Sequence, residues 1–215
     1  MENNNQVYSK MFTWLFIGLL ITFATGYCLA QNTVLMAEIL TVGIIPIIVI
    51  ELGIALFLGV RLSKMNPITT KILYLIYSIT TGITFSVLFV AFKMDSIISI
   101  FLLTSIIFGV LAVYGYTTKQ DLTKFGTILF ISLISIVIFS LINVIFIKSA
   151  SFDLTLTIIG TLVFAGYIAY DVNNVKYLMG NIGEEKAAVY GAFQLYLDFI
   201  NLFIRLLELF GKRND

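Results

Sequence analysis

LTLTIIGTLVFAGYIAYDVNNVK, residues 154–176, is long and apolar enough to cross a bilayer, yet it carries an acid, Asp171, before it ends. A hydrocarbon core of about 30 Å needs about 20 apolar residues per helix. The run is continuous rather than alternating, which selects a helix over a barrel strand, because each span must satisfy its own backbone hydrogen bonds. The same window moved along the chain gives seven spans, at approximately 11–31, 40–61, 71–92, 96–117, 124–147, 154–176 and 187–210. Composition agrees: 60% of the 215 residues are apolar, mean hydropathy is +1.03, and only 13 basic and 12 acidic side chains are present. That is too apolar for a soluble domain of this size. The predicted fold class is an all-α membrane protein, a compact bundle of seven transmembrane helices.

Residues 1–10, MENNNQVYSK, read as a short disordered leader, and 11–215 as a single domain, since the connections are short and no repeat of fixed period occurs. The first span is too long for a signal peptide and six more follow it, so it is expected to be retained. An odd number of spans puts the termini on opposite sides. Of the basic residues in the connections or at the span ends, eight fall on the N-terminal side, Arg61, Lys64, Lys119 and Lys176 among them, and four on the other. The excess of Lys and Arg in cytoplasmic loops places the N-terminus in the cytoplasm and the C-terminus outside. The expected location is a cell membrane crossed many times, the inner membrane of a bacterium.

Net charge is +1 and no basic or basic-aromatic stripe is long enough for a nucleic-acid partner. The one cysteine, Cys28, excludes an intramolecular disulfide. There is no phosphate-binding loop, no His/Cys ligand cluster and no nucleophile elbow, so no cofactor is expected. With no histidine in the chain, proton sensing near neutral pH falls to carboxylates.

Five charged residues lie well inside the spans: Glu51, Asp171, Asp198, Arg205 and Glu208. Each is costly near the bilayer centre, by about 2.5–3.5 kcal/mol on insertion scales, so each is expected to face protein or water and to have a partner. Asp171 shares a helical stripe with Gly160, Phe164, Tyr167 and Asn174, a mixture that suits a wet or packed interior. The alternative is that it snorkels to the interface beside Lys176. In the last span, AAVYGAFQLYLDFINLFIRLLELF (187–210), Asp198, Asn201, Arg205 and Glu208 fall within an arc of about 80°. Part of that face has a local explanation, because Arg205 can pair with Glu208 at i, i+3 and Asp198 can bond Asn201. Glu51 lies at nearly the depth of Asp198 and is a candidate partner for Asp198 or Arg205. Glu51, Asn201 and Arg205 are therefore candidate linings of a conduit.

The short link between the last two spans favours their being neighbours, so Asp171 and Asp198 are candidates to meet. Two carboxylates in contact share a proton and titrate as a coupled pair, a pH sensor built without histidine. Ionised, they offer oxygens to a hard cation such as Ca2+. Two acids are fewer than the six to eight oxygens of a tight site, and weak binding is what a passage needs.

The segments GTLVFAGYIAYDVNNVK (160–176) and LYLDFINLFIRLLELFG (195–211), with the loop TKQDLTKFG (118–126), resemble the corresponding signatures of the transmembrane Bax inhibitor motif family (Bax inhibitor-1 like), in particular its small bacterial members. The resemblance covers the chain in span number and order. It implies a pH-sensitive calcium leak channel, with Asp171 and Asp198 as the ion-binding and gating pair near the cytoplasmic mouth. An arginine of span two, by position Arg61, would latch the first acid in the closed state. Lys64 is the alternative latch, and Arg61 also reads plainly as a positive-inside anchor. Asp121 matches the family and is read as a helix N-cap with no chemistry. Ca2+ would be the transported ion, protons the regulator, the bilayer the other partner, and a monomer the expected state.

Two rival functions have different signatures. A proton-coupled cation transporter would show paired, proline-broken helices in two halves, whereas Pro46 is the one proline inside a span. An intramembrane aspartyl protease also uses two acids, and Tyr170-Asp171 fits its first half. Its glycine-rich second motif is replaced here by Tyr196-Leu197-Asp198, and both prolines, Pro46 and Pro67, lie in the first third of the chain. The expectation is that the protein is not an enzyme.

Overall fold

The computed structural model describes residues 2–61 and 64–214, apart from the side chains of 2–4, 42, 44 and 45. Among the described residues eight α-helices follow in order: α1 (Glu2–Ala30), α2 (Thr33–Val42), α3 (Ile44–Arg61), α4 (Pro67–Ala91), α5 (Met94–Thr117), α6 (Gly126–Ile142), α7 (Ala150–Ile182) and α8 (Glu184–Phe210). A 3-10 turn, Leu122–Phe125, precedes α6 and a π-helical turn, Asn143–Ile147, follows it. No β-strand occurs among the described residues; Phe92 and Arg213 form one isolated bridge. Six helices are each long and apolar enough to span a membrane, and α2 with α3, bent by 82°, makes a seventh when the two are taken as one broken span. The protein is a multi-pass, all-helical membrane protein.

The ends of the elements follow local chemistry. Asn66 caps α4 by accepting from the Thr69 N–H at 2.8 Å, and Pro67 sits in the first turn, where a missing N–H costs nothing. Gly43 (φ 86°) separates α2 from α3, and Pro46 falls in the first turn of α3. Gly183 (φ 81°) is the whole connection between α7 and α8; the left-handed conformation suits a residue without Cβ. Asp121 caps the 3-10 turn, accepting from the Thr123 N–H at 3.0 Å, as its place in the loop predicts.

Three expectations need correction. Residues 2–10 are not a disordered leader: α1 starts at Glu2, and Val7 and Tyr8 are buried, because an apolar face continues the helix below Met11. The second span does not start near 40, since Thr33–Val42 is already helical behind the Asn32 cap. The sixth does not stop at Lys176; α7 runs on to Ile182, because a hydropathy window ends where polar residues enter, whereas a helix ends at a stop such as Gly183.

Where the sequence reads as a single domain over 11–215, contacts group the chain into two compact units. The first comprises residues 1–94, 177–196 and 213–215, the second 95–176 and 197–212. Each of α7 and α8 contributes to both, so neither unit is a continuous stretch of chain. In the first unit, α1 and α4 pack closely: Thr22 Oγ1 donates to the Ser78 carbonyl at 2.8 Å, and Tyr74 hydroxyl to the Trp14 carbonyl at 3.0 Å. Tyr74, Tyr77, Phe193 and Tyr196 form a ring cluster with edge-to-face contacts, their centroids 5.5–6.3 Å apart. In the second unit, Phe199 packs on Phe101 and Phe108 with centroids 5.5 Å apart in each pair, and α5 meets α7 at Gly115. Small residues let helix backbones approach where lipid supplies no hydrophobic drive between them. Of the spans, α8 is the most buried.

Candidate functional site

The second unit brings Asp171 of α7 and Asp198 of α8 together. Each is only 4% exposed, and their carboxyl groups lie within hydrogen-bonding reach of one another. Neither snorkels. Asp198 Oδ2 has no hydrogen-bond partner. Two carboxyls can bond only if one of them carries a proton, so the arrangement holds one or releases it as a unit. Tyr167, one turn before Asp171, is within electrostatic range of both acids, and Tyr170 of Asp171.

What fixes Asp171 is a clamp on the α5–α6 connection that the sequence did not reveal. Asn173 Nδ2 donates to the carbonyls of Gly115 (3.2 Å) and Gln120 (3.4 Å), and its Oδ1 accepts from the Leu122 N–H at 3.2 Å. Lys176 Nζ donates to the carbonyls of Tyr116 (2.9 Å) and Thr118 (3.4 Å). Gly115 lies against the backbone of Ala169, and Gly126 against the Tyr170 ring, where a Cβ would overlap in either case. Residues 169–176 are thereby held at several points. The stripe through Asp171 picks out Asn174 rather than Asn173, and no signal in one sequence separates the two.

The remaining predicted residues are placed elsewhere. Arg205 Nη1 donates weakly to the Leu156 carbonyl at 3.5 Å, and its guanidinium lies over the Phe164 ring, 5.6 Å from the centroid. Its charge faces Glu208 and Asp153. Thr157 Oγ1 donates to Glu208 Oε2 at 3.3 Å. Asn201 does not bond Asp198: its Nδ2 turns back to the Leu197 carbonyl at 2.7 Å, the i−4 bond a short amide makes on its own helix. Asn201, Arg205 and Glu208, with Ser140, Asp153 and Thr157, line a polar cavity of about 180 Å3.

Glu51 belongs to the first unit. It is half-buried beside Thr81 and Thr84, with Tyr77 and Tyr196 in electrostatic range, and its Oε1 has no hydrogen-bond partner. Arg61 closes α3 in that unit, exposed, where a cation complements the helix C-terminus. Lys64 is also exposed. Among the described residues no group of three or more His, Cys, Asp or Glu is placed to hold a metal ion.

A family profile described as "Inhibitor of apoptosis-promoting Bax1" matches residues 4–215. The chain belongs to the Bax inhibitor-1 family. Among its relatives, the inner membrane protein YbhL of Escherichia coli K12 is 37% identical over 95% of this chain and 91% of its own length. A protein of Borreliella burgdorferi is 35% identical, over 98% of this chain and 94% of the relative. The Rickettsia prowazekii protein RP147 is 40% identical over 76% and 71%. The profile match spans both units of this Bax inhibitor-1 family member, and the acid pair, the Asn173 clamp and the polar cavity all lie within residues 4–215.

Proposed function

We propose that this Bax inhibitor-1 family protein is a pH-sensitive Ca2+ leak of a bacterial inner membrane, gated by Asp171 and Asp198, with its N-terminus in the cytoplasm. The observation that carries the reading is the mutual contact of two buried carboxyls on α7 and α8. At an effective dielectric of about 20, two like charges about 4 Å apart repel by about 4 kcal/mol. The pair therefore holds a proton, or meets a cation that neutralises it. Acid favours the protonated, hydrogen-bonded pair and alkali the doubly ionised one. The proton-sharing pair carries one negative charge and the doubly ionised pair two, so the second attracts a divalent cation more strongly, and with two acids it binds weakly enough to let go.

Ca2+ flux into proteoliposomes across a pH series tests this. Wild type is expected to show a pH-dependent rate, and Asp171→Asn and Asp198→Asn each to flatten it, because either change leaves one carboxyl and no shared proton. An unaltered pH profile in both variants refutes the gating role. Uphill Ca2+ accumulation driven by an imposed pH gradient would replace the leak by proton-coupled transport.

A further inference from the structure

The polar cavity in the second unit begins within one turn of Asp198, at Asn201, and extends away from the acid pair. Its residues on α8 run from Asn201 to Glu208, and Glu208 lies ten positions beyond Asp198, about 15 Å along the helix axis. Asp153, in the first turn of α7, is eighteen positions before Asp171, or about 27 Å. The cavity therefore opens at the other end of the same two helices. At about 180 Å3 it has room for several waters.

Arg205 sits in this cavity in an unusual way for a membrane arginine. Its guanidinium occupies the space that a side chain at position 160 would take: a Cβ on Gly160 would come within 2.5 Å of Nε and 2.7 Å of Nη1. The Phe164 ring and the Leu156 carbonyl complete the seat. All three residues belong to α7, so neutral groups of one helix form the seat of the guanidinium. Asp153 and Glu208, both exposed, then face a positive charge fixed beforehand. A guanidinium so held is a tethered substitute for a mobile cation.

We infer that Arg205 is a built-in competitor for cations at this second station: it neutralises Asp153 and Glu208 until a hydrated divalent cation enters the cavity and takes their charge. The inference rests on the cation-leak reading and adds to it a determinant of cation affinity separate from the pH-sensing pair. The arginine sets how much Ca2+ is needed to load the path; the aspartates set at which pH the path conducts.

The test uses full-length protein with two readouts, half-saturating Ca2+ for flux in proteoliposomes and Mn2+ binding by electron paramagnetic resonance in detergent. Arg205→Gln is expected to lower the half-saturating Ca2+ and tighten Mn2+ binding by about fivefold, the effect of removing one positive charge about 8 Å from a divalent ion in a wet cavity. Arg205→Lys retains the charge and stays near wild type. Asp153→Asn, at an exposed position, is expected to weaken both by a similar factor and carries the test should Arg205→Gln fail to accumulate. A purely structural ion-pair network predicts lower thermal stability in Arg205→Gln with Mn2+ affinity and half-saturation unchanged, and that result overturns the inference. If the aspartate variants flatten the pH profile while Arg205→Gln and Asp153→Asn leave affinity alone, only this inference fails. If Arg205→Gln tightens Mn2+ while the aspartate variants leave the pH profile intact, the gating proposal fails and the second station stands.

Discussion

Replacing Gly115 by Ala should loosen the contact that holds the Asp171 segment to α5. A Cβ there would overlap the Ala169 carbonyl oxygen and sit 3.1 Å from both the carbonyl carbon and Cα of Ala169. Ordinary carbon contacts lie at about 3.5–4.0 Å, and the obstacle is backbone that no rotamer change can move. The two helices must therefore separate by about 0.5–1 Å, an overpacking cost of about 1–3 kcal/mol. Alanine regains about 1 kcal/mol of helix propensity over glycine, so the fair comparison is Gly109→Ala on the same helix, where nothing lies within 4 Å of the added carbon. Relative to that control, the expected fall in Tm is about 2–12 °C for a chain of this size, read by circular dichroism of the purified proteins in one detergent. Ala169 is two residues before Asp171 and Gly115 lends its carbonyl to Asn173, so the variant should also shift the pH midpoint of Ca2+ flux. Equal Tm values for the two alanine variants would refute the close-approach argument.

Three further outcomes follow from other contacts. Asn173→Ala leaves the buried Leu122 N–H without its acceptor; at about 1–3 kcal/mol for an unmet buried group, hydrogen exchange across 115–125 should accelerate while α5 before 110 stays protected. Tyr196→Phe deletes the hydroxyl that bonds Thr22 in the first unit and should cost about 0.5–1.5 kcal/mol, with Tm measurably lowered and the pH profile of flux kept. Gly160→Ala should displace the Arg205 guanidinium, so the stability cost of Gly160→Ala is expected to shrink in an Arg205→Gln background; a strictly additive double mutant would show that the seat does not couple them.

The sequence made some of this legible and concealed the rest for physical reasons. Continuous apolar runs locate the spans because lipid penalises polar side chains wherever the helix meets it, and the charged residues that survive inside, Asp171 and Asp198 above all, are the ones the fold encloses. The Asp121 cap is readable because its bond reaches only two residues ahead. Helix ends at Glu2 and Ile182 are not, since a helix continues into water on the strength of a few buried side chains such as Val7. The seat of Arg205 is hidden for a different reason. Gly160 and Arg205 lie 45 positions apart, and a glycine in an apolar run reads as a packing residue until the guanidinium is seen lying on it. Local pairing within α8 also misleads for Asn201: its amide adds a second bond to the Leu197 carbonyl one turn back and does not bond Asp198.

The separation of charge along α8 bears on why a leak would keep an arginine within a membrane helix at all. A guanidinium in contact with Asp198 would neutralise it at every physiological pH, since arginine does not release its proton there, and the pair could not exchange a proton with Asp171. Two helical turns, about 10 Å of rise, separate Arg205 from Asp198, and the seat on Gly160, Phe164 and Leu156 prevents the long side chain from closing that gap. The same seat brings the charge near Asp153 and Glu208, which line the polar cavity and, when ionised, would otherwise attract cations. On the leak reading, a fixed cation would offset the acids at one end of the helix pair, and a labile proton would reduce the charge of those at the other. On the leak reading, only the proton is removable by changing pH, so pH sensitivity would belong to Asp171 and Asp198, while the cation concentration needed to load the path would be set at Arg205.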